Sequence, residues 1–249
     1  MRPVFLQVAL NGSRSKAEHP AVPVTPQEMA DDVQRLFAAG VRSVHLHVRD
    51  GQGRESLEPP HVAATLNAIR AVCPEMELAL STAEGITATP AKRLDFIRAW
   101  TVLPDTLCVN LAEEGTQDVI LLAHERGMGL EAGLFFPENV EHFRTLKHLR
   151  WRRALLEPLS TRPDEAEVQL QALLNVLGTP WLDIPHVIHG VDDATYPMLY
   201  RAAHLTRASR IGFEDVLTLP GGPPARDNTQ LYQAGMCFMQ EATEEFRGR

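Results

Sequence analysis

The chain has 249 residues, of which 44% are hydrophobic and 22% charged, and its formal net charge at pH 7 is −8. These values exclude a wholly disordered chain and argue against a protein that binds nucleic acid phosphates over a large surface. The three cysteines, Cys73, Cys108 and Cys237, share no CxxC spacing, which predicts reduced thiols in a cytoplasmic protein.

The sequence shows no membrane or export segment. The apolar run at residues 4–10 is too short for a signal peptide, and no stretch approaches the roughly 18 apolar residues of a membrane span. We therefore expect a cytoplasmic globular protein with neither a membrane nor a nucleic acid as partner.

Short β-rich runs alternate with helical patterns along the chain. After the first run, Thr25-Pro26-Gln27-Glu28 predicts a helix with a capping box, and Gly40 ends that helix. Pro197 interrupts the helical pattern that follows the seventh run, and the last helix is predicted over residues 228–246. The eight predicted strands are residues 4–10, 43–48, 76–81, 106–111, 129–135, 153–156, 181–189 and 210–213.

The spacing of these strands predicts a (β/α)₈ barrel, the TIM barrel of the α/β class. Strand starts recur about 23 to 39 residues apart, in a chain of the length typical of this fold. An open doubly wound sheet, the alternative, would carry a glycine-rich phosphate turn after its first strand, and residues 11–14 (NGSR) are not such a turn. We predict one catalytic domain over residues 1–249, with its functional residues at the carboxyl ends of the strands.

The second and eighth strands carry the strongest chemical signal. Because residues two apart on a strand point to the same side, His45 and His47 project together, and neutral imidazoles are common ligands of zinc, iron, nickel and cobalt. One such histidine alone would more often be a core residue, but a pair at a barrel mouth favours a metal site. A third ligand is expected from the adjacent carboxylates Glu214 and Asp215, one of which could instead face Arg210.

Other strand ends offer further polar residues. Ser81 and Asn110 are candidates to donate hydrogen bonds to a ligand oxygen. Cys108 is expected to be a small buried residue, because no matching Cys–His arrangement points to a nucleophile. The remaining candidates are Thr82, Glu131, His186 and His189, and His19 is expected to lie in a turn.

Several segments, in their order along the chain, resemble a known family. They are residues 10–26 (LNGSRSKAEHPAVPVTP), 44–50 (VHLHVRD) with 53–56 (GRES), 80–82 (LST), 211–215 (IGFED) and 227–231 (DNTQL). Together they resemble the β-keto acid cleavage enzymes, and the resemblance extends from the first strand to the last helix.

This resemblance implies a (β/α)₈ barrel, usually a homotetramer, that holds a divalent metal, typically zinc. The implied reaction converts a β-keto acid and acetyl-CoA into acetoacetate and a new acyl-CoA by a Claisen condensation and a retro-Claisen cleavage. Asn228 matches a recurring motif with a structural role. The residues that match the metal ligands of the family are His45, His47 and Glu214. Ser81 matches a residue at the acyl-transfer centre, and Arg210 with Asp215 matches the pair for substrate deprotonation. Thr82 and Asn110 are expected to contact substrate.

Two positions depart from the family pattern. Arg14 stands where some members carry a glutamate that contacts substrate, and Cys108 replaces a threonine. If Arg14 faces the pocket, neutral or anionic keto acids should be preferred to cationic ones. The alternative is that Arg14 faces solvent or pairs with Glu18.

The acidic chain must also gather local cations to hold the phosphates of CoA. Barrels often bind phosphate at the loops after strands seven and eight, which makes Arg226 the sequence-based candidate. Two other functions stay open at this stage: a metal-dependent hydrolase or aldolase on the same barrel, and a catalytically inactive relative that only binds metal.

Overall fold

Strands and helices alternate in the predicted order. The computed structural model describes residues 4–146, 148–178, 184–206 and 208–247. The strands are β1 (Phe5–Ala9), β2 (Ser43–Leu46), β3 (Glu77–Ser81), β4 (Thr106–Asn110), β5 (Gly129–Leu134), β6 (Trp151–Leu156), β7 (His186–Ile188) and β8 (Ala208–Ile211). The helices are α1 (Pro26–Ala38), α2 (Pro59–Val72), α3 (Pro90–Ala99), α4 (Thr116–Glu125), α5 (Pro137–Thr145), α6 (Pro163–Leu177), α7 (Thr195–Leu205) and α8 (Asn228–Arg247).

The eight strands are all parallel and form a closed barrel in sequence order. Closure occurs where β1 pairs with β8, from Phe5 opposite Ala208 to Val8 opposite Ile211. The prediction of a (β/α)₈ barrel is thereby confirmed. None of the helices in the described part of the chain is long and apolar enough to cross a membrane.

Strand ends differ from the predicted bounds where side chains replace strand pairing. β2 ends at Leu46 because the His47 N–H donates to the side chain of Asn11, at 3.0 Å. β8 ends at Ile211, since the Phe213 N–H donates to the side chain of Asn228, at 2.8 Å. The first residues of the predicted seventh strand, 181–183, lie outside the described residues.

Pro197 does not prevent a helix after β7. The helix α7 begins at Thr195, so Pro197 lies in its first turn. A backbone N–H in the first turn has no partner within the helix, and proline loses nothing there.

The interior of the barrel contains a buried polar belt. Gln7 donates hydrogen bonds to Ser43 and Glu131, at 3.1 and 3.0 Å, and Arg153 pairs with Glu131 at 3.1 Å. Arg153 also donates two hydrogen bonds to Glu77, each of 2.7 Å. These mutual contacts satisfy charges that would be costly to bury alone. They place a polar support beneath the strand ends where the candidate site lies.

The side chain of Asn228 ties β1, β8 and α1 together. It is fully buried. Its Oδ1 accepts the Phe213 N–H, and its Nδ2 donates to the Leu10 carbonyl at 2.9 Å and to Asp32 at 2.7 Å. Each of these partners is a polar group that water cannot reach if the amide is removed. This contact set agrees with the structural role expected for Asn228.

We predict that Asn228→Ala lowers the free energy of unfolding by about 3 kcal/mol, because it leaves several buried polar groups unsatisfied. Urea unfolding monitored by circular dichroism measures the change. Asn175→Ala is the matched control, since the only partner of this exposed α6 amide among the described residues is Gln171. This variant should stay within about 0.5 kcal/mol of the parent protein. Equal stabilities for the two variants would contradict the role assigned to Asn228.

Candidate active site

The two histidines of the HxH motif meet Glu214 at the mouth of the barrel. His45 lies in β2 and His47 directly after it, and Glu214 follows β8. The Oε2 atom of Glu214 lies 3.5 Å from His45 Nε2 and 3.7 Å from His47 Nε2. The closed barrel thus brings the ends of strands two and eight together around these three side chains.

These three residues fit a divalent ion. The Glu214 Oε2 atom is buried and has no hydrogen-bonding partner within the described residues, although it faces two imidazole nitrogens. Ligand atoms of a tetrahedral zinc, with bonds of about 2.1 Å, lie about 3.4 Å apart. The observed separations of 3.5 and 3.7 Å are close to that value.

Electrostatics favour the protonation states that metal ligands need. Burial lowers the pKa of His45 to about 3, so its imidazole stays neutral and keeps a free lone pair. Burial alone would raise the pKa of Glu214, but Arg210 and the histidines outweigh it and hold that pKa well below its usual range. Neutral imidazoles and an ionised carboxylate are the forms in which these groups coordinate metals.

Neighbouring residues hold the cluster in place. The side chain of Asn11 bonds to both backbone groups of His47 and also donates to the Pro23 carbonyl, at 3.0 Å. Glu55 contacts Nδ1 of His47 with a carboxylate oxygen. A carboxylate on the second ring nitrogen orients a ligating histidine and raises its basicity.

Gly12 allows the first loop to approach Glu214. Its φ of +51° lies in the left-handed region, and a Cβ at this position would collide with the side chain of Glu214. Glycine is therefore required here both by conformation and by space.

A second set of possible ligand atoms lies deeper in the barrel. His45, Cys108 and Glu131 bring donor atoms within 4.8 Å of one another, as do His45, His47 and Glu214. However, burial and Glu131 raise the pKa of Cys108 well above its usual range, which disfavours the thiolate that metals bind. Glu131 is also engaged by Gln7 and Arg153. The set with Glu214 is the better metal site.

Arg210 is the centre of a buried charge cluster beside the histidines. Its guanidinium lies 2.6 Å from Asp215, 3.1 Å from Glu214 and 4.0 Å from Glu157. Burial raises the pKa of Asp215 above its ordinary value, although Arg210 opposes this shift. Asp215 is thus a buried carboxylate of raised basicity, a property suited to taking a proton from carbon.

The predicted hydrogen-bond donors differ in availability. The hydroxyl of Ser81 at the end of β3 has no hydrogen-bonding partner within the described residues. In contrast, Thr82 donates to the Cys108 carbonyl at 2.7 Å, and the Asn110 amide donates to Glu113 at 2.6 Å. The hydroxyl of Ser81 is therefore free to serve a ligand, and Asn110 keeps its second amide N–H, whereas the hydroxyl proton of Thr82 is occupied.

Arg14 and Arg226, the two arginines predicted to contact ligands, are both paired with carboxylates. Arg14 donates to Glu18 at 3.2 Å and to Asp192 in the loop after β7, so the arrangement is the ion pair weighed as the alternative. Arg226 pairs with Asp227 at 2.9 Å, and 72% of its side chain is exposed. Roles for Arg14 and Arg226 in ligand binding stay predictions.

The remaining histidines occupy distinct places. His189 is fully buried in the charge cluster, with Nε2 at 3.3 Å from Glu157 and Nδ1 at 3.9 Å from Asp215. His186 is a buried residue of β7. His19 lies in a turn of the first loop, with its ring centroid 4.5 Å from that of Phe213.

Sequence reasoning missed two residues of this site. Glu157 directly follows β6, and the rule that barrel function lies at strand ends would have selected it. The sixth strand has a weak sequence pattern, which gives little indication that Glu157 stands at a strand end. Glu55 belongs to the GRES segment, but a loop residue eight positions from His47 carries no spacing signal.

Comparisons with known proteins agree with this architecture. The sequence profile of the beta-keto acid cleavage enzyme family matches residues 3–246. The 3-keto-5-aminohexanoate cleavage enzyme of Acetoanaerobium sticklandii is 22% identical over an alignment of 261 positions, which covers 97% of this chain and 93% of that enzyme. The 3-oxoadipate:acetyl-CoA acetyltransferase of Cupriavidus necator is 39% identical over 82 residues, which are 32% of this chain and 29% of that enzyme.

Among solved structures, the ternary complex of ObcA with a C4-CoA adduct and oxalate matches with a TM-score of 0.67 and 18% identity. The match covers 92% of this chain but 64% of the ObcA chain, and it concerns the fold alone. The family profile spans nearly the whole sequence, including both strand ends that carry the histidine and glutamate cluster. The chain therefore belongs to the beta-keto acid cleavage enzyme family.

Proposed function

We propose that this protein is a divalent-metal-dependent enzyme that converts a β-keto acid and acetyl-CoA into acetoacetate and a new acyl-CoA. The observation that carries the proposal is the unpartnered Glu214 oxygen between two imidazole nitrogens, beside a buried Arg210–Asp215 pair. In a chain of this family, that combination would hold a metal next to a base. The two relatives named above, a keto acid cleavage enzyme and an acetyl-CoA acetyltransferase, support the same reaction.

His45, His47 and Glu214 would hold the ion, with zinc as the expected metal. A bound divalent ion supplies Lewis acidity that stabilises negative charge on the oxygens of a keto acid. Glu55 and Asn11 would keep His47 oriented, and the low pKa of His45 would keep its ring neutral.

Asp215 is the group that would take the proton from the carbon between the two carbonyl groups of the keto acid. A guanidinium, with a pKa above about 12, is a poor base, so Arg210 is better suited to hold Asp215 in position. The 2.6 Å contact between them restrains the carboxylate. Asp215 could act directly or through a water molecule.

The resulting carbanion would attack the thioester carbonyl of acetyl-CoA, and the hydroxyl of Ser81 would stabilise the oxyanion formed there. Collapse of this oxyanion would expel the CoA thiolate, which would then attack the original keto carbonyl of the condensed substrate. Retro-Claisen cleavage of the C–C bond would leave the remaining acyl group on CoA as a thioester, and the released carbanion would regain a proton from the Asp215 carboxyl group to give acetoacetate. Thr82 would shape the pocket wall, since its hydroxyl proton is donated to the Cys108 carbonyl, and Asn110 would contact substrate through the amide N–H that Glu113 does not use. A homotetramer is the assembly expected from the family.

We predict that the purified protein releases acetoacetate from acetyl-CoA and at least one member of a panel of β-keto acids. Ser81→Ala should lower kcat by about 100-fold because it removes the free oxyanion donor. A coupled assay for acetoacetate measures both. A protein that holds metal but cleaves no keto acid would support the inactive-relative alternative, and hydrolysis without acyl-CoA formation would support a hydrolase.

We predict one divalent ion per chain, removed by His45→Ala combined with His47→Ala, because two of the three ligands are lost. Elemental analysis of the dialysed protein measures the content. His124→Ala, which changes an exposed histidine of α4, should retain the metal. Stoichiometric metal in the double variant would exclude this site and equally the set of His45, Cys108 and Glu131, which shares His45.

We predict that Arg226→Ala raises KM for acetyl-CoA several-fold and leaves KM for the keto acid unchanged, if the Arg226–Asp227 pair opens to receive a phosphate. Steady-state kinetics with each substrate varied in turn measure the effect. Arg162→Ala, which changes an exposed arginine paired with Asp164 and Glu165, is the control. An unchanged KM for acetyl-CoA would remove Arg226 from the phosphate site.

A further inference from the structure

Cys108 and Glu131 are neighbours in the wall of the barrel that the proposed cleavage reaction does not use. They are register partners in β4 and β5. Both are buried, Glu131 completely. Donor atoms of these two residues and of His45 lie within 4.8 Å of one another. A thiol, a carboxylate and an imidazole thus face a common point below the mouth of the barrel.

One oxygen of Glu131 takes no part in the polar belt. Gln7 and Arg153 both contact Oε1, at 3.0 and 3.1 Å. The Oε2 atom is buried and has no hydrogen-bonding partner in the part of the chain that the structure describes. Because an unpaired carboxylate oxygen in a protein interior is costly, this atom calls for a ligand. A bound cation would satisfy it.

The ring of His45 has an unused nitrogen as well. Its Nε2 atom faces Glu214, whereas Nδ1 is buried and is not hydrogen-bonded to any of the described residues. A histidine that binds metal usually donates its second ring N–H to a carboxylate, a carbonyl or water. His47 has such a partner in Glu55. The two rings therefore differ, and Nδ1 of His45 remains available for another ligand.

The thiol of Cys108 determines which kind of ion suits this set. Burial and the carboxylate of Glu131 hold the pKa of Cys108 well above its usual range, so an ion must displace a firmly held proton. Only a cation with high affinity for sulfur offsets that cost. On binding, the S–H bond breaks, the sulfur electron pair joins the ion, and the proton passes to the solvent.

We propose that His45, Cys108 and Glu131 form a second cation site, which binds a thiophilic ion such as cadmium in competition with the site at Glu214. A neutral imidazole has one lone pair, on the nitrogen that carries no proton. The ring of His45 therefore serves the Glu214 site through Nε2 or the deeper site through Nδ1, but not both together. The competition rests on the metal site of the proposed function, whereas the deeper site does not.

The first test isolates the thiol. The chain has three cysteines, so Cys73→Ser combined with Cys237→Ser leaves Cys108 as the only one. Titration of this zinc-loaded protein with cadmium chloride should produce the ultraviolet charge-transfer band of a cadmium–thiolate bond, complete at one cadmium per chain. Adding Cys108→Ser should abolish the band. If the double variant does not fold, Cys108→Ser and Cys237→Ser in the parent protein give the same comparison, and Cys108→Ser should bind one cadmium fewer than the parent.

The second test examines the carboxylate and the shared ring. Glu131→Gln should weaken cadmium binding by more than about tenfold, because it removes a charged ligand. Glu165→Gln is the matched control, since it removes the same charge from the surface, where Glu165 pairs with Arg162, and its affinity should equal that of the parent. Elemental analysis after dialysis should show about one zinc lost for each cadmium gained, and Cys108→Ser should keep its zinc at the same cadmium concentration.

Three results would overturn the proposal. They are a protein with Cys108 as its only thiol that gives no band, equal cadmium affinity in Glu131→Gln and Glu165→Gln, and cadmium binding at Cys108 with the zinc content unchanged. None of these measurements depends on turnover. Absence of acetoacetate from every keto acid would instead overturn the proposed function and leave the deeper site standing.

Discussion

The buried guanidinium of Arg210 is the interaction on which the mouth of the barrel depends. Burying several carboxylates together is costly unless a cation lies among them, and Arg210 contacts or approaches Asp215, Glu214 and Glu157. Its position in β8, on the inner side of the sheet, holds these groups at fixed distances from one another. Without this central charge, burying these carboxylates so close to one another would cost far more free energy.

Asn11 and Asn228 fix the backbone on either side of this cluster, at the ends of β2 and β8. Asn11 replaces strand pairing at the end of β2 and fixes His47, while Asn228 does the same at the end of β8, just before Glu214. Each amide satisfies backbone groups that the sheet leaves free, so the chain can leave the barrel without unpaired polar atoms. The side chains of the site therefore extend from backbone that is held in place by hydrogen bonds, and a precise arrangement of these side chains requires such support.

The distribution of charge at the mouth follows from contacts between loops that are distant in sequence. Arg14 in the first loop reaches Asp192 after β7, and Glu157 after β6 meets His189 and Arg210. Arg14 thus contributes no free positive charge, because carboxylates already pair with it. Glu157, which follows β6, contributes a negative charge.

The sequence alone determined the barrel, because the strand and helix patterns are local and recur eight times with helix caps between them. It also determined the histidine pair, since a spacing of two on a strand places both rings on one side. Only the tertiary structure decided which carboxylate faces those rings, that Arg14 is paired, and that Glu157 and Glu55 belong to the site. These facts depend on contacts between strand ends that lie far apart in the chain, and closure of the barrel is what brings them within a few ångströms of one another.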